Sequence, residues 1–545
     1  MNDHGPPSLR STNVAKLSAA PFDVLVLGGG INGAVSAAAL SARGARVALV
    51  DRGDFAGATS QGSSNLAWGG IKYLESLELG LVWRLCRARN RLIRAYPSTV
   101  KEIRFYAAHP RGFRHGRWKV LAGAWLYWAM GGFFTRRPRL LSPEDIRREE
   151  PIIETEGLDG GFEYSDAYLH DNDARFVWGF VRSALDHGCV AANYVEALAS
   201  SREGGEWITR ARDVAGRGLL AIRSRLLVNA CGPWADQVNA RDAVRTSHRH
   251  VLSKGVHLLV DRLTPSRRVL TFFADDGRLF FVIPMGPKTC IGTTDTPADR
   301  PEVEVLPEDR RFVLENINKR LCLPRPLDER DVVAERCGVR PLALEAGGDG
   351  SRDWMQLSRR HVIETSPRER RVTIFGGKLT DCLNVGEEIC AEVQRLGVVL
   401  PDAGRVWYGE PHPAVRDEFF HQARLMGLDG MTSPQSSEAL STRLWRRYGD
   451  QALGMLESIR RDPRMAEVII ETSEYLRCEL HDAARREMVV TLDDFLRRRS
   501  KIALVVRRED IRRAAGLREA CRILFGDQAD ARRAEYFCEP GPPAT

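Results

Sequence analysis

Apolar and polar positions fall into blocks of different period along the chain. Asp23–Leu27 (DVLVL) is a near-continuous apolar run, the pattern of a central parallel strand covered on both faces. The alanine-rich stretch Ala34–Arg43 reads as a helix that Gly44 ends, and Ala45–Val50 (ARVALV) as a second strand closed by Asp51. Further strands are predicted at Leu226–Asn229, Gly255–Val260, Leu279–Ile283 and Arg371–Phe375. Beyond about residue 410 the pattern changes to arginine-dense helices. A boundary is placed near Leu400–Pro413, where Pro401, Pro411 and Pro413 cluster.

Two segments bear on location. Residues 1–20 are polar, carry Pro6-Pro7 and lack an apolar core, so they read as a disordered tail and not as a secretory signal. No run of 18 apolar residues is present, which argues against a spanning helix. The nearest approach is Val120–Phe134, fifteen uncharged residues flanked by Arg117 and Lys119 and by Arg136, Arg137 and Arg139. At about 1.5 Å per residue it is too short to cross a bilayer. A buried helix is the preferred reading. The alternative is a monotopic contact with Trp125, Tyr127 and Trp128 at headgroup depth.

Composition changes this picture little. With 545 residues the chain has room for two or three domains, and 43% hydrophobic with 28% charged residues suits a globular enzyme. The net charge of +8 is mild and does not choose between an anionic substrate, acidic lipid and nucleic acid. Eleven cysteines include no C-x-x-C pair, so neither a metal site nor a disulfide framework is indicated, and a reducing compartment fits. The C-terminal clusters Arg443, Arg446 and Arg447, Arg485 and Arg486, and Arg497–Arg499 with Lys501 read as solvated helix faces, with an interaction surface as the minor alternative.

The chemistry begins at Gly28-Gly29-Gly30-Ile31-Asn32-Gly33. A bare G-x-G-x-x-G is weak evidence, but here it follows a strand, opens a helix and precedes Asp51 by 18 residues. Gly28 permits the tight turn, Gly30 admits a pyrophosphate, Gly33 lets helix and strand pack, and Asp51 accepts from ribose hydroxyls. This much does not separate NAD from FAD. Gly57–Leu74 (GATSQGSSNLAWGGIKYL), hydroxyl-rich and closing on Gly69-Gly70, favours a buried flavin.

These blocks resemble the FAD-dependent respiratory glycerol-3-phosphate dehydrogenases of the D-amino-acid-oxidase-like flavoproteins. That family runs G-G-G-I-N-G-A-G, then A-T-S-x-x-S-S-K-L-I-H-G-G-L-R-Y-L. Gly161–Asp166 (GFEYSD), Asp171–Arg175 (DNDAR), Asn229–Trp234 (NACGPW), Lys254–His257 (KGVH), Phe281–Pro284 (FVIP), Gly292–Asp295 (GTTD), Gly338–Leu342 (GVRPL), Phe375–Thr380 (FGGKLT) and Glu487–Arg498 follow in the family's order. The family's Lys, His and Arg of the second motif are Asn65, Trp68 and Lys72 here, and Asp381-Cys382 stands where Thr-Tyr is usual.

The resemblance implies an α/β fold: a Rossmann-type FAD-binding domain interleaved with an α+β substrate (cap) domain, plus a C-terminal all-helical domain. The expected divisions are 21–400, with inserted substrate segments around 90–165 and 240–345, and 401–545. FAD is expected on Gly28, Gly30, Ile31, Asn32, Gly33, Asp51, Arg52, Thr59, Ser60, Ser64, Leu66, Gly69, Gly70, Val195, Ala230, Gly232, Trp234, Gly377, Lys378, Leu379 and Thr380. His257 is the candidate base, Arg340 the substrate clamp and Lys378 the charge beside the flavin, with Lys72 and Tyr73 completing the substrate pocket. The resulting expectation is oxidation of sn-glycerol 3-phosphate to dihydroxyacetone phosphate. Electrons pass to quinone, in the cytoplasm or at the inner face of the cytoplasmic membrane. The departures leave open a divergent oxidase or dehydrogenase of another small anionic hydroxy or amino compound. No nucleic-acid motif accompanies the basic C-terminal region, and a homodimer is left open.

Overall fold

The computed structural model describes residues 8–113, 115–345 and 360–539. The chain divides into two compact units, one comprising Met1–Gln61, Asn172–Val251 and Pro341–Thr545, the other Gly62–Asp171 and Leu252–Arg340.

The first unit is built on a sheet ordered Val362–Ser366, Arg371–Phe375, Leu219–Asn229, Phe22–Leu27, Val47–Val50, Val190–Ala192. Phe22–Leu27 pairs in parallel with both neighbours, Val24 lying opposite Val47 and Leu226. Its apolar run is continuous because both faces are covered. The helix Ile31–Ala42 buries every residue from Gly33 to Ala42, packed against the helices Asp173–Asp186 and Cys382–Arg395. Only small side chains fit so close an approach, which accounts for the alanines.

The amino-terminal segment departs from expectation. Residues 1–7 lie outside the described residues, but Leu9–Leu17 is a helix capped by Ser8 and not a disordered tail. Leu17 is buried, Asn13 Nδ2 donates to the Ala191 carbonyl at 2.9 Å, and Arg10 pairs with Asp213 at 2.6 Å. A helix that docks through so few apolar residues looks polar in sequence.

The C-terminal part is all-helical, from Pro413–Leu425 to Ala529–Phe537, around two apolar clusters centred on Leu444 and Leu496. Its arginines correct the expectation of solvated faces. Arg443, Arg446, Arg447, Arg498, Arg499 and Lys501 are all buried. Arg443 grips Glu479 with both guanidinium arms at 2.8 and 2.7 Å, and Lys501 meets Glu474 at 3.1 Å. Only Arg485 and Arg486 of the named clusters are exposed. A charge enters a core when a partner awaits it there, and helical spacing does not reveal the partner.

The second unit is a mixed, mainly antiparallel sheet. It runs Thr296–Ala298, His248–Asp261, Lys288–Gly292, Leu279–Met285, Val269–Phe273, Val100–Pro110, Leu158–Leu169, Leu66–Ala67. Its segments start earlier than the expected 90–165 and later than 240, because Leu66 pairs with Tyr168 and Ala67 with Ala167, drawing the serine-rich loop into this sheet. The Val120–Phe134 stretch is not the buried helix preferred from sequence. The helix Arg117–Met130 buries only Ala124 and Tyr127, whereas Trp118 is 64%, Trp125 42% and Leu126 48% exposed, and Phe133 beyond it 62%. The helix is apolar on most of its circumference but packs along one stripe. Among the described residues no helix is long and apolar enough to cross a membrane.

Candidate active site

The Phe22–Leu27 strand delivers the glycine turn, and each glycine answers to a different neighbour. Gly28 has φ +98°, and a Cβ there would lie 2.5 Å from the Ala230 carbonyl oxygen. At Gly33 a Cβ would lie 1.8 Å from the Gly28 carbonyl oxygen. Gly30 caps the helix, and among the described residues only Ser60 Oγ, 3.2 Å away, lies near its missing Cβ. Ser60 Oγ accepts from the Ile31 amide at 3.0 Å. Asp51 accepts from Gly29 N at 2.6 Å and Gly53 N at 2.9 Å. Burial nevertheless pushes its carboxyl up to about 6, so further donors such as ribose hydroxyls would stabilise its ionised form.

A cavity of about 460 Å³ opens over this turn. Its wall holds Gly28, Gly30, Ile31, Asn32, Asp51, Arg52, Thr59, Ser60, Val195, Ala230, Gly232, Trp234 and Gly377. Arg52 stacks on the Trp234 ring at 4.2 Å, a platform suited to a flat heterocycle. Gly33 lies behind the wall, and Lys378, Leu379 and Thr380 continue the chain past Gly377. Gln237, Arg241 and Arg498 also line the cavity. Sequence reasoning missed them, since no spacing links them to the glycine turn. The glycine cradle, the buried acid and the stacked platform fit FAD.

Gly376 and Gly377 both adopt positive φ, 62° and 111°. Asn32 Nδ2 donates to the Gly376 carbonyl at 3.0 Å, leaving Asn32 Oδ1 without a partner among the described residues. The Gly376 amide donates to His250 Nε2 at 3.0 Å, and His250 Nδ1 lies 3.0 Å from Asp236 Oδ2. This fixes the tautomer, with Nδ1 donating to Asp236 and Nε2 accepting. Asp381, a departure from the family pattern, is no isolated acid. His361 is buried with Nδ1 3.0 Å from Asp381 and Nε2 2.8 Å from Glu388, and the two carboxylates raise its pKa against the effect of burial.

In the second unit His257 and Arg340 occupy one neighbourhood. His257 is buried, and neither ring nitrogen has a hydrogen-bond partner among the described residues. Burial first, then the charges of Arg340 and Arg336, push its pKa down to about 3, so the imidazole is neutral. Arg340 donates to Thr293 Oγ1 at 3.0 Å and meets Asp295 at 3.2 Å. Its guanidinium lies flat over Gly255, where a Cβ would come within 2.3 Å of it. The glycine of K-G-V-H therefore makes room for the Arg340 guanidinium, a role the sequence did not disclose.

Asn65 is structural. It is fully buried at φ 60°, donates to the Leu169 and Asp171 carbonyls at 3.3 and 2.6 Å, and accepts from Arg336 at 2.8 Å. Asp166 of the G-F-E-Y-S-D motif takes the Gly69 amide at 2.9 Å and the Tyr127 hydroxyl at 2.6 Å. Trp68 donates to Tyr164 at 3.2 Å and packs near Tyr73 and Phe281. Gly70, at φ 80°, lies against the Tyr73 ring. Ser64, Leu66 and Lys72 are half-buried on the same loop.

A family model described as FAD dependent oxidoreductase matches residues 23–377, and one described as the C-terminal domain of alpha-glycerophosphate oxidase matches residues 412–521. The chain is similar to the aerobic glycerol-3-phosphate dehydrogenase of Staphylococcus saprophyticus, at 32% identity over 375 residues, 68% of this chain and 66% of that protein. It is similar to glycerol-3-phosphate dehydrogenase 2 of Mycobacterium tuberculosis, at 30% identity over 519 residues, 91% of this chain and 84% of that protein. Its structure is similar to that of the glycerol-3-phosphate dehydrogenase from Bacillus halodurans complexed with FAD, at 25% identity. That match has a TM-score of 0.74 and covers 98% and 97% of the two chains. A likeness running through both parts of the sequence and through the fold leads to one conclusion: the chain belongs to the FAD-dependent oxidoreductases, within the glycerol-3-phosphate dehydrogenase family.

Proposed function

We propose that the protein oxidises sn-glycerol 3-phosphate to dihydroxyacetone phosphate and that its electrons pass on to a quinone. The observation carrying this reading is the pairing of a buried, neutral His257, with no hydrogen-bond partner among the described residues, with the Arg340 guanidinium laid over Gly255. Bound FAD would supply the hydride acceptor, held by the glycine turn, Asp51 and the Gly376-Gly377 loop. His257 takes the proton of the substrate hydroxyl on a ring nitrogen. Arg340 and Lys72 would bind the phosphate, and Lys378 would supply positive charge to the bound cofactor.

The test is anaerobic bleaching of the oxidised-flavin band with a panel of phosphorylated and unphosphorylated polyols. Glycerol 3-phosphate is expected to bleach it and glycerol to do so poorly. Charge-assisted hydrogen bonds contribute about 1.5–3 kcal/mol, so Arg340→Ala should raise KM about 10- to 100-fold. Lys72→Arg, which gives the family's residue, should preserve or improve turnover. If glycerol 3-phosphate leaves the band intact while another hydroxy acid or amine bleaches it, Trp68 and Lys72 mark a changed specificity.

A peripheral contact with the inner face of the cytoplasmic membrane belongs to this proposal. Trp83 (50% exposed) on the helix Leu79–Ala95 and Leu77 (78%) before it are exposed apolar side chains like Trp118, Trp125, Leu126 and Phe133. Arg87 and Arg117 lie over the Trp83 and Trp118 rings, as suits anionic headgroups. Replacing Trp118 and Trp125 by Asp is expected to release the protein from anionic vesicles with FAD still bound. Unchanged sedimentation with the vesicles would remove the membrane from the proposal.

A further inference from the structure

Among the described residues the C-terminal helical domain reaches the cofactor cavity through Arg498 of the segment Asp494–Arg499, and the inference drawn from this contact rests on the reading of that cavity as an FAD site. Arg498 forms part of the wall. It is buried, and its donors run in different directions. Nε meets Asp54 at 2.6 Å, NH1 meets Gln61 at 3.0 Å, and NH2 meets Asp494 at 2.7 Å. Asp54 belongs to the loop that begins at Asp51, and Gln61 ends the turn that carries Thr59 and Ser60. One guanidinium thus bridges the two loops flanking the glycine turn.

Asp54 is held by more than this one contact. Its carboxylate also accepts from Arg499 at 2.8 and 2.7 Å and from Asn193 at 2.8 Å. Although burial opposes ionisation, the two arginines keep its pKa below the ordinary carboxylate value. The segment is itself locked against the dinucleotide-binding part of this unit. Asn172 Nδ2 donates to the Arg497 and Ser500 carbonyls, both at 2.7 Å, and the Tyr194 hydroxyl, another cavity residue, meets Asp494 at 2.7 Å. A planar guanidinium can serve both loops at once, whereas an ammonium group offers a compact point charge with no fixed fork.

We propose that Arg498 is a positioning residue of the FAD site, so that cofactor retention depends on the C-terminal domain. It holds the Asp51–Asp54 and Thr59–Gln61 loops at the spacing that the ribose and diphosphate require. Arg499 supports it by fixing the far side of Asp54.

The test measures FAD affinity by flavin fluorescence on release and the melting temperature of apoprotein and holoprotein for Arg498→Gln, Arg498→Lys, Gln61→Met and a control, Arg446→Gln. Arg446 is buried in the same domain against Glu438 and does not line the cavity. Arg498→Gln is expected to weaken FAD binding about 10- to 100-fold, with Arg498→Lys recovering only part of the loss. Gln61→Met removes the bond from Arg498 and the exposed one from Gln61 Nε2 to the Gly57 carbonyl at 2.6 Å, strands no charge, and should weaken binding about three- to tenfold. The control should bind FAD as wild type does. FAD affinity within about twofold of wild type in Gln61→Met and Arg498→Lys overturns the proposal, as does equal weakening in the control. If Arg498→Gln does not fold, Gln61→Met and Arg498→Lys decide. A wild-type protein that takes up no FAD instead overturns the cofactor reading itself.

Discussion

Replacing His257 with glutamine is expected to lower turnover by about 100- to 10,000-fold while the protein stays folded and retains FAD. Among the described residues the side chain has no hydrogen bond to lose, so the variant would forfeit the proposed base and little else. Stopped-flow reduction of the flavin by substrate measures the loss directly. An effect of less than about tenfold assigns proton removal to another group. The pH behaviour gives a second readout. With its folded pKa near 3, His257 is neutral throughout the ordinary working range. Its own protonation should therefore set no acid limb on kcat/KM until about pH 3. Stability follows the opposite logic. Above the ordinary histidine value of 6.5 the group is neutral in both states and costs nothing. Between about 6.5 and 3 the unfolded chain binds a proton that the folded one refuses, so stability is lost as pH falls. The wild-type melting temperature should drop more steeply on acidification than that of His257→Gln.

The second large effect separates two glycines of one motif. Gly33→Ala would put a methyl group 1.8 Å from a backbone carbonyl oxygen, which no rotamer change relieves, so this variant should fail to fold or melt far below wild type. Gly30→Val leaves the turn intact, because among the described residues the only neighbour of a Cβ there is the Ser60 hydroxyl at 3.2 Å. Its side chain would instead fill the space over the helix N-terminus expected to take the diphosphate. The expected product is a folded, colourless protein. Circular dichroism with flavin absorbance distinguishes the cases, and a yellow Gly30→Val protein would show that the cofactor does not approach the helix there.

The legible part of the molecule was the part encoded by short spacing. The strand, glycine turn, helix and acid of the dinucleotide site lie within thirty residues, counted from Phe22 to Asp51, and every requirement there is local: backbone conformation, period and an open helix end. The ordered motifs that followed located His257, Arg340 and the Gly376-Gly377 loop, and the arginine-dense region was rightly read as helical.

Only the tertiary structure decided which polar groups are structural and which remain for ligands. Asn65 occupies a position of functional promise in the motif, yet its side chain is spent on Leu169, Asp171 and Arg336. Asp381 is matched by a histidine twenty residues earlier, and Arg498 finds Asp54 across most of the chain. The helix Arg117–Met130 has an apolar composition that suits burial, but only Ala124 and Tyr127 find a surface to cover them. Periodicity and backbone conformation are properties of neighbouring residues, so the sequence alone determined the turn, the strands and the helices. Charge pairing and burial depend on which distant groups share a low-dielectric interior, and only the completed packing supplies that answer.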